Sequence, residues 1–156
     1  MSKIDIIHAK SLADIQSAKD IMLKYIKFIE RELGETLTFQ GTDTEFANFP
    51  NSYDVLLLAK VDGKPAGACA VKPFNTGICE LKRLYALPEF RGHKLGLKLT
   101  VESLRRAKAL GYSEMYLDTN PDLTHANALY ERLGFVDIEK YYDNPLVCSR
   151  YMARAV

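Results

Sequence analysis

The stretch PEFRGHKLGLKL, residues 88–99, brings two glycines and a set of cations to the point where a loop gives way to a helical pattern. A helix N-terminus carries unpaired backbone N–H groups and about half a positive charge, so it attracts anions. Gly92 lets the backbone turn sharply. Gly96 removes a side chain from the first helical turn, at a cost of roughly 1 kcal/mol relative to alanine. Between residues 82 and 98 the cations are Lys82, Arg83, Arg91, Lys94 and Lys98, against the single acid Glu89. The implied chemistry is capture of a phosphate-rich ligand by main-chain donors. The plainer reading of the glycines is a turn at Gly92 and close packing at Gly96. The chain has no Gly-x-x-x-x-Gly-Lys-Ser/Thr loop and no Gly-x-Gly-x-x-Gly after a strand, so the ligand is not a nucleotide of the kind those loops hold.

The elements that must position this loop follow from periodicity. IDIIHA reads as a first strand. A helix starts at Ser11, with Asp14 three residues on as a capping-box analogue. Ile15, Ala18, Met22, Tyr25, Ile26, Ile29 and Leu33 keep helical spacing, and Gly34 caps the end. Residues 35–53 form a long connection with a short helix near residues 44–48. Asp62-Gly63 between two apolar runs predicts a β-hairpin over YDVLLLAKVDGKPAGACAVKPF. ICELKRLYAL is the next strand, closed by Pro88.

The helix over about 94–110 carries an apolar arc of Leu97, Leu99, Thr100, Val101, Leu104, Ala107 and Leu110, with Lys98, Glu102, Arg105 and Arg106 opposite. After Gly111, EMYLDT is a strand. Strand, helix, strand at this spacing is a βαβ unit, hence a parallel pair. Ala126, Leu129 and Leu133 mark another helix, ended by Gly134. FVDIEKY and CSRYMARAV close the chain as strands. The expected fold is α/β (α+β): one domain over residues 1–156, with a mixed, mostly antiparallel sheet flanked by helices and containing one parallel pair.

At 156 residues the chain can bury a core without staples. It is 47% hydrophobic and 26% charged, with a net charge of +1. That balance offers no field selecting nucleic acid or an anionic membrane. Cys69, Cys79 and Cys148 lie in apolar segments without a Cys-x-x-Cys pair, and read as reduced core residues of a cytoplasmic protein. No apolar stretch is long enough to span a bilayer. His8, His93 and His125 are scattered, which argues against a metal site.

ELKRLYALPEFRGHKLGLKL resembles the acetyl-CoA-binding segment of the GNAT superfamily of N-acetyltransferases, whose pattern Gln/Arg-x-x-Gly-x-Gly/Ala lies between the fourth strand and the third helix. HANALYERLGF is similar to the superfamily's next motif, an asparagine and a tyrosine three residues apart before Leu-Gly-Phe. The two motifs cover roughly residues 80–135, and the order of elements agrees along nearly the whole chain.

The resemblance implies acetyl-CoA as acyl donor and no metal. Arg91 and the loop amides from Gly92 through His93, Lys94, Leu95 and Gly96 to Leu97 would hold the pyrophosphate. Strand backbone at Leu84, Tyr85 and Ala86 would pair with the pantetheine amides. Asn127 would touch the pantetheine arm, and Tyr130 would lie close to the thioester sulfur. The sequence departs from the pattern at Lys94, where the first motif glycine stands. A side chain fits there if it points outward, where it could reach a phosphate.

Acetyl transfer to an amine needs a neutral nucleophile, a stabilised oxyanion and a protonated leaving thiolate. An amine of lysine type is protonated at neutral pH, with a pKa near 10.4. Glu80, interrupting the apolar strand start ICEL, is the candidate base, since burial there would raise a carboxylate toward useful basicity. The plainer alternative pairs Glu80 with Lys82 or another strand cation. Tyr130 is the candidate acid; its alternative is a core tyrosine. A backbone N–H near Tyr85 would serve the oxyanion. Cys79, beside Glu80, falls on the opposite sheet face by alternation and is excluded as a nucleophile.

The expected activity is transfer of acetyl from acetyl-CoA to a primary amine, on a small molecule or a peptide, directly in a ternary complex. The alternative is an acyl-CoA-binding sensor on the same fold. A nucleic-acid binder using Lys94, Lys98, Arg105, Arg106 and Lys108 fits poorly with a near-neutral chain. By the resemblance, the first helices and late strands shape the acceptor site: Tyr25, Phe28, Glu32, Phe49 and Tyr53 on one side, Tyr141, Tyr142 and Asn144 on the other. The sheet edge leaves room for a homodimer.

Overall fold

Val55, Leu56, Leu57, Leu58, Ala59 and Val61 are all buried, though strand alternation sends their side chains to opposite faces. Such a strand must be covered on both sides. The computed structural model, which describes residues 2–33, 47–142 and 149–156, meets that requirement with helices on each face of one sheet. In chain order the elements are β1 (Ile4–His8), α1 (Leu12–Leu33), β2 (Val55–Val61), β3 (Lys64–Asn75), β4 (Ile78–Ala86), α2 (Leu95–Ala109), β5 (Glu114–Thr119), α3 (Thr124–Arg132), β6 (Val136–Asp137) and β7 (Arg150–Ala155). A 3-10 turn, Pro88–Phe90, joins β4 to the loop before α2.

The sheet has seven strands in the order β1-β2-β3-β4-β5-β7-β6. Every neighbouring pair is antiparallel except β4 and β5, which are parallel with α2 as their crossover. The α/β architecture and its one parallel pair are those expected from the sequence. The β2–β3 turn has Asp62 at φ 51° and Gly63 at φ 80°, the two positive values that a two-residue hairpin needs. Ser11 caps α1, its hydroxyl accepting from the Asp14 N–H at 3.1 Å. The proposed cap at Gly34, most of the short helix at 44–48, and Asn144 and Cys148 lie outside the described residues.

One face of the sheet carries α1, with Ala18, Ile21 and Met22 against Leu56, Leu58, Ala68 and Ala70. The other carries α2 and α3, with Leu95, Leu99, Leu104 and Ala107 against Leu57, Val71, Cys79 and Leu81. The buried stripe of α2 differs from the expected arc. Val101 is 49% exposed and Leu110 55%, while Ser103 is fully buried. A stripe centred on Leu99, Thr100, Ser103 and Ala107 follows the 3.6-residue period and leaves Val101 outside it. Ser103 tolerates burial because its hydroxyl donates to the Leu99 carbonyl at 2.8 Å and lies 3.2 Å from the Cys69 sulfur. Burial pushes the Cys69 and Cys79 thiols up to about 12, consistent with unreactive core residues. The strand expected over FVDIEKY is confined to Val136–Asp137; the chain then leaves the ladder and brings Tyr141 and Tyr142 onto the sheet.

Candidate active site

The two parallel strands stay together for only three residue pairs: Ile78 with Glu114, Cys79 with Met115 and Glu80 with Tyr116. Beyond Glu80, β4 remains paired with β3 and β5 with β7, so the sheet opens between Leu81–Ala86 and Leu117–Thr119. A bulge accompanies the opening. Ala68 pairs with Tyr85 and Ala70 with Lys82, so β4 has one residue more than β3 between those points. Arg83, inside the bulge, sits at φ 58° and is buried. Bulges bend a strand and increase its twist, which directs the end of β4 away from β5. An unpaired strand edge within a sheet is a ready partner for an extended, amide-bearing ligand. The predicted segment Leu84, Tyr85 and Ala86 lies on this edge.

The loop after β4 ends at the N-terminus of α2. Gly92 has φ 94°, which glycine alone adopts freely, and a Cβ there would meet nothing within 4 Å. Lys94 is the residue before the helix, in the left-handed region at φ 56°, ψ 38°, with an exposed side chain. That conformation explains a glycine at this position in the family pattern and shows how a lysine replaces it, pointing outward. The Lys98 N–H bonds to the Lys94 carbonyl at 3.1 Å, and the preceding amides of Leu95, Gly96 and Leu97 have no intrahelical acceptor. At Gly96 the plainer reading, close packing, is met, and the neighbour is a helix. The side chain it lacks would lie 3.3 Å from Leu129 of α3, so it permits close helix–helix packing.

The cations divide. Arg91, Lys94 and Lys98 are exposed around the loop, and the Lys98 ammonium donates to the His93 carbonyl at 3.1 Å. Lys82 and Arg83, grouped with them by sequence, are not loop cations. Lys82 faces Glu80 and Asp118, and Arg83 is buried in the bulge. On α2, Glu102 takes both Arg105 and Arg106, which neutralises much of the basic face considered for nucleic acid.

From α3, Asn127 and Tyr130 are both buried on the face toward the sheet, as their spacing required. The Asn127 amide donates to the Asn120 carbonyl at 2.9 Å, while its Oδ1 is buried without a partner among the described residues. Tyr130 packs edge-on against Phe135. Its hydroxyl has no hydrogen-bond partner among the described residues. Burial first, then Tyr25, Cys69 and Asp118, hold that phenol protonated well above the ordinary tyrosine range.

Glu80, only 6% exposed, lies where the strands part. Its Oε2 accepts from the Tyr141 hydroxyl at 2.6 Å and lies 3.8 Å from the Lys82 ammonium. The same ammonium is 3.7 Å from Asp118 Oδ1, and Asp118 Oδ2 accepts from Tyr142 at 2.8 Å. Glu80 thus pairs with Lys82, as the plainer sequence reading had it, and also borders the opening. Asp118 was missed by sequence reasoning. The available signal was alternation along EMYLDT, which puts Tyr116 and Asp118 on one face of β5.

The aromatic residues expected to frame an acceptor fall into separate groups. Tyr25 and Phe28 stack on Tyr85 at 5.5 and 5.6 Å, and burial raises the Tyr25 phenol to about 12. Tyr141 and Tyr142 join Phe74, Tyr116 and Tyr151. Phe49 and Tyr53 pack into the core beneath α1, and Glu32 is exposed at the end of that helix. Among the described residues no cluster of His, Cys, Asp and Glu could hold a metal ion, and no helix is long and apolar enough to cross a membrane.

Residues 23–135 match the family described as Acetyltransferase (GNAT) family. A Schizosaccharomyces pombe protein described as an uncharacterized N-acetyltransferase is 40% identical over 157 residues, covering 97% of this chain and 94% of its own. The crystal structure of an acetyltransferase from Streptococcus agalactiae superposes with a TM-score of 0.77 at 22% identity, over 98% of each chain. The PaiA N-acetyltransferase from Thermoplasma acidophilum, solved in complex with coenzyme A, gives a TM-score of 0.76 at 19% identity over 99% of each chain. The protein is therefore an acetyl-CoA-dependent acyltransferase. It belongs to the GNAT acetyltransferase family.

Proposed function

We propose that the chain, working as one domain, moves the acetyl group of acetyl-CoA directly to a primary amine, on a small molecule or a peptide, within a ternary complex. The observation that carries this reading is the opening between β4 and β5. Amides of α2 without intrahelical acceptors follow the end of β4, Glu80 stands where the strands part, and α3 buries Asn127 and Tyr130.

The residues present fit acetyl-CoA. The amides from Gly92 to Leu97, with Arg91 and Lys94 beside them, suit a pyrophosphate. The free edge at Leu84, Tyr85 and Ala86 suits the pantetheine amides as an added half-strand. The buried Asn127 Oδ1 has no donor among the described residues, and a pantetheine amide would provide one. Once bound, the donor supplies an activated thioester carbonyl. Glu80 then takes the acceptor ammonium's proton, directly or through water. Tyr130, held protonated by its surroundings, donates to the departing sulfur. A backbone N–H near Tyr85, on the edge of β4 that faces the opening, serves the developing oxyanion.

Glu80→Gln and Tyr130→Phe should each lower kcat by about 10²- to 10⁴-fold, the usual range for one proton-transfer group. Both should keep coenzyme A binding, measured as a ligand-induced rise in melting temperature. Wild-type turnover in both variants moves the proton transfers to other groups. Coenzyme A binding without thiol release across a panel of amines would favour a sensor instead.

A further inference from the structure

Glu80 has two carboxylate oxygens, and the protein treats them differently. Oε2 receives the Tyr141 hydroxyl at 2.6 Å and faces the Lys82 ammonium at 3.8 Å. Oε1 has no hydrogen-bond partner among the described residues. We infer that Tyr141 is a positioning residue for the base: its phenol fixes Oε2 so that Oε1 is the oxygen presented to the acceptor's proton. The inference rests on the reading of Glu80 as that base.

Tyr141 is built to hold one place. Its ring touches Phe74 of β3 at 4.9 Å, Tyr116 of β5 at 5.0 Å, Tyr151 of β7 at 5.3 Å and its neighbour Tyr142 at 5.4 Å. Rings from three strands fix its orientation, and the hydroxyl ends on Glu80. Burial first, then the Glu80 and Asp118 carboxylates, keep the phenol protonated well above the ordinary tyrosine range. It therefore stays a donor at working pH and does not compete for the acceptor's proton. Tyr142 makes the matching contact to Asp118 and provides an internal comparison.

The test compares Tyr141→Phe, Tyr142→Phe, Glu80→Gln and the Tyr141→Phe/Glu80→Gln double variant. Phenylalanine keeps the ring packing and removes only the donor. Tyr141→Phe should lower kcat about tenfold to a hundredfold, the scale of a misplaced reacting group, while coenzyme A Kd and melting temperature stay near wild type. The double variant should be no slower than Glu80→Gln alone, because the hydroxyl acts only through that carboxylate. A wild-type kcat in Tyr141→Phe overturns the inference, as does an equal loss in Tyr142→Phe or a fully multiplicative double variant.

A second readout needs no turnover. With 13Cζ-labelled tyrosine in the free protein at neutral pH, the Tyr141 resonance should shift between wild type and Glu80→Gln, because a neutral amide replaces the charged acceptor of its hydroxyl. An unmoved resonance means that the contact does not form in solution, and overturns the inference. If Glu80→Gln itself turns over at the wild-type rate, the base assignment falls first and this role falls with it. If only Tyr141→Phe does so, this role alone falls.

Discussion

Asn127 is only half satisfied among the described residues. Its amide nitrogen is bonded to the Asn120 carbonyl, whereas its Oδ1 is buried with no donor among the described residues. A buried unpaired acceptor costs about 1–3 kcal/mol, and a net hydrogen bond returns about 1. In Asn127→Ala the lost bond and the relieved oxygen therefore largely cancel, and alanine favours the helix. The free protein should change stability by less than about 1 kcal/mol, while coenzyme A should bind about tenfold more weakly, the equivalent of one lost hydrogen bond. Urea denaturation and calorimetric titration measure the two. A loss of several kcal/mol in stability with unchanged affinity would assign Asn127 to the core alone. Lys94 makes the complementary point: it accepts left-handed backbone at a cost on the order of 1 kcal/mol in order to keep the loop's shape.

At the scale of elements, close approach between α2 and its neighbours depends on two glycines with different tolerance. A Cβ on Gly67 of β3 would meet the Tyr85 carbonyl oxygen at 3.0 Å and Leu99 Cδ1 at 3.2 Å. The first is backbone of β4, beside the bulge that accompanies the opening of the sheet, and it cannot yield cheaply. A Cβ on Gly96 would meet only Leu129 Cδ2 at 3.3 Å, the tip of a flexible side chain. Gly67→Ala should cost about 1–3 kcal/mol, as overpacked sites do. Gly96→Ala should be neutral or stabilising by up to about 1 kcal/mol, through helix propensity. Denaturant midpoints decide between them. Equal costs would mean that the α2–α3 contact is as rigid as the sheet.

For the molecule as a whole, the charges divide acid sensitivity into separate windows. Burial first, then Arg106 and Lys10, lower the His8 imidazole below its ordinary 6.5. The unfolded chain therefore binds the proton more readily than the folded one. The His8 contribution is complete above about pH 6.5 and is lost as pH falls through the lowered folded value. Glu102 is held at about 2, chiefly by its hydrogen bond from Arg105. Asp14 is lowered by Lys60, and Asp137 by Arg150. These carboxylates contribute above the ordinary carboxylate range and lose their part only at lower pH. Between pH 7.5 and 5 the wild type should therefore lose stability that His8→Gln does not lose. Denaturation midpoints at the two pH values test this, and parallel slopes would remove His8 from the account.

Much of the fold was legible because its signals are short-range. Asp62-Gly63 encodes its hairpin in adjacent dihedrals, the α2 loop advertises free amides through its glycine and cations, and strand–helix–strand spacing entails a parallel pair. The motif residues Asn127 and Tyr130 were legible too, since a spacing of three places them on one helical face. The division of labour among the charges was legible only in part: the Glu80–Lys82 pair was one of the sequence readings, while the Asp118 contact of the same ammonium was not. Lys82 lies near Arg91 and Lys94 in sequence, yet strand direction sends it to Glu80 and Asp118.

The parting of β4 from β5 is accompanied by a one-residue mismatch with β3, which no property of β4 alone specifies. Tyr141 and Glu80 are 61 residues apart, and their 2.6 Å contact depends on the packing of rings from three strands. Periodicity and turn chemistry are local, so the chain states them directly. Register, and the partner each buried charge finds, are relations between distant segments that only the folded chain fixes.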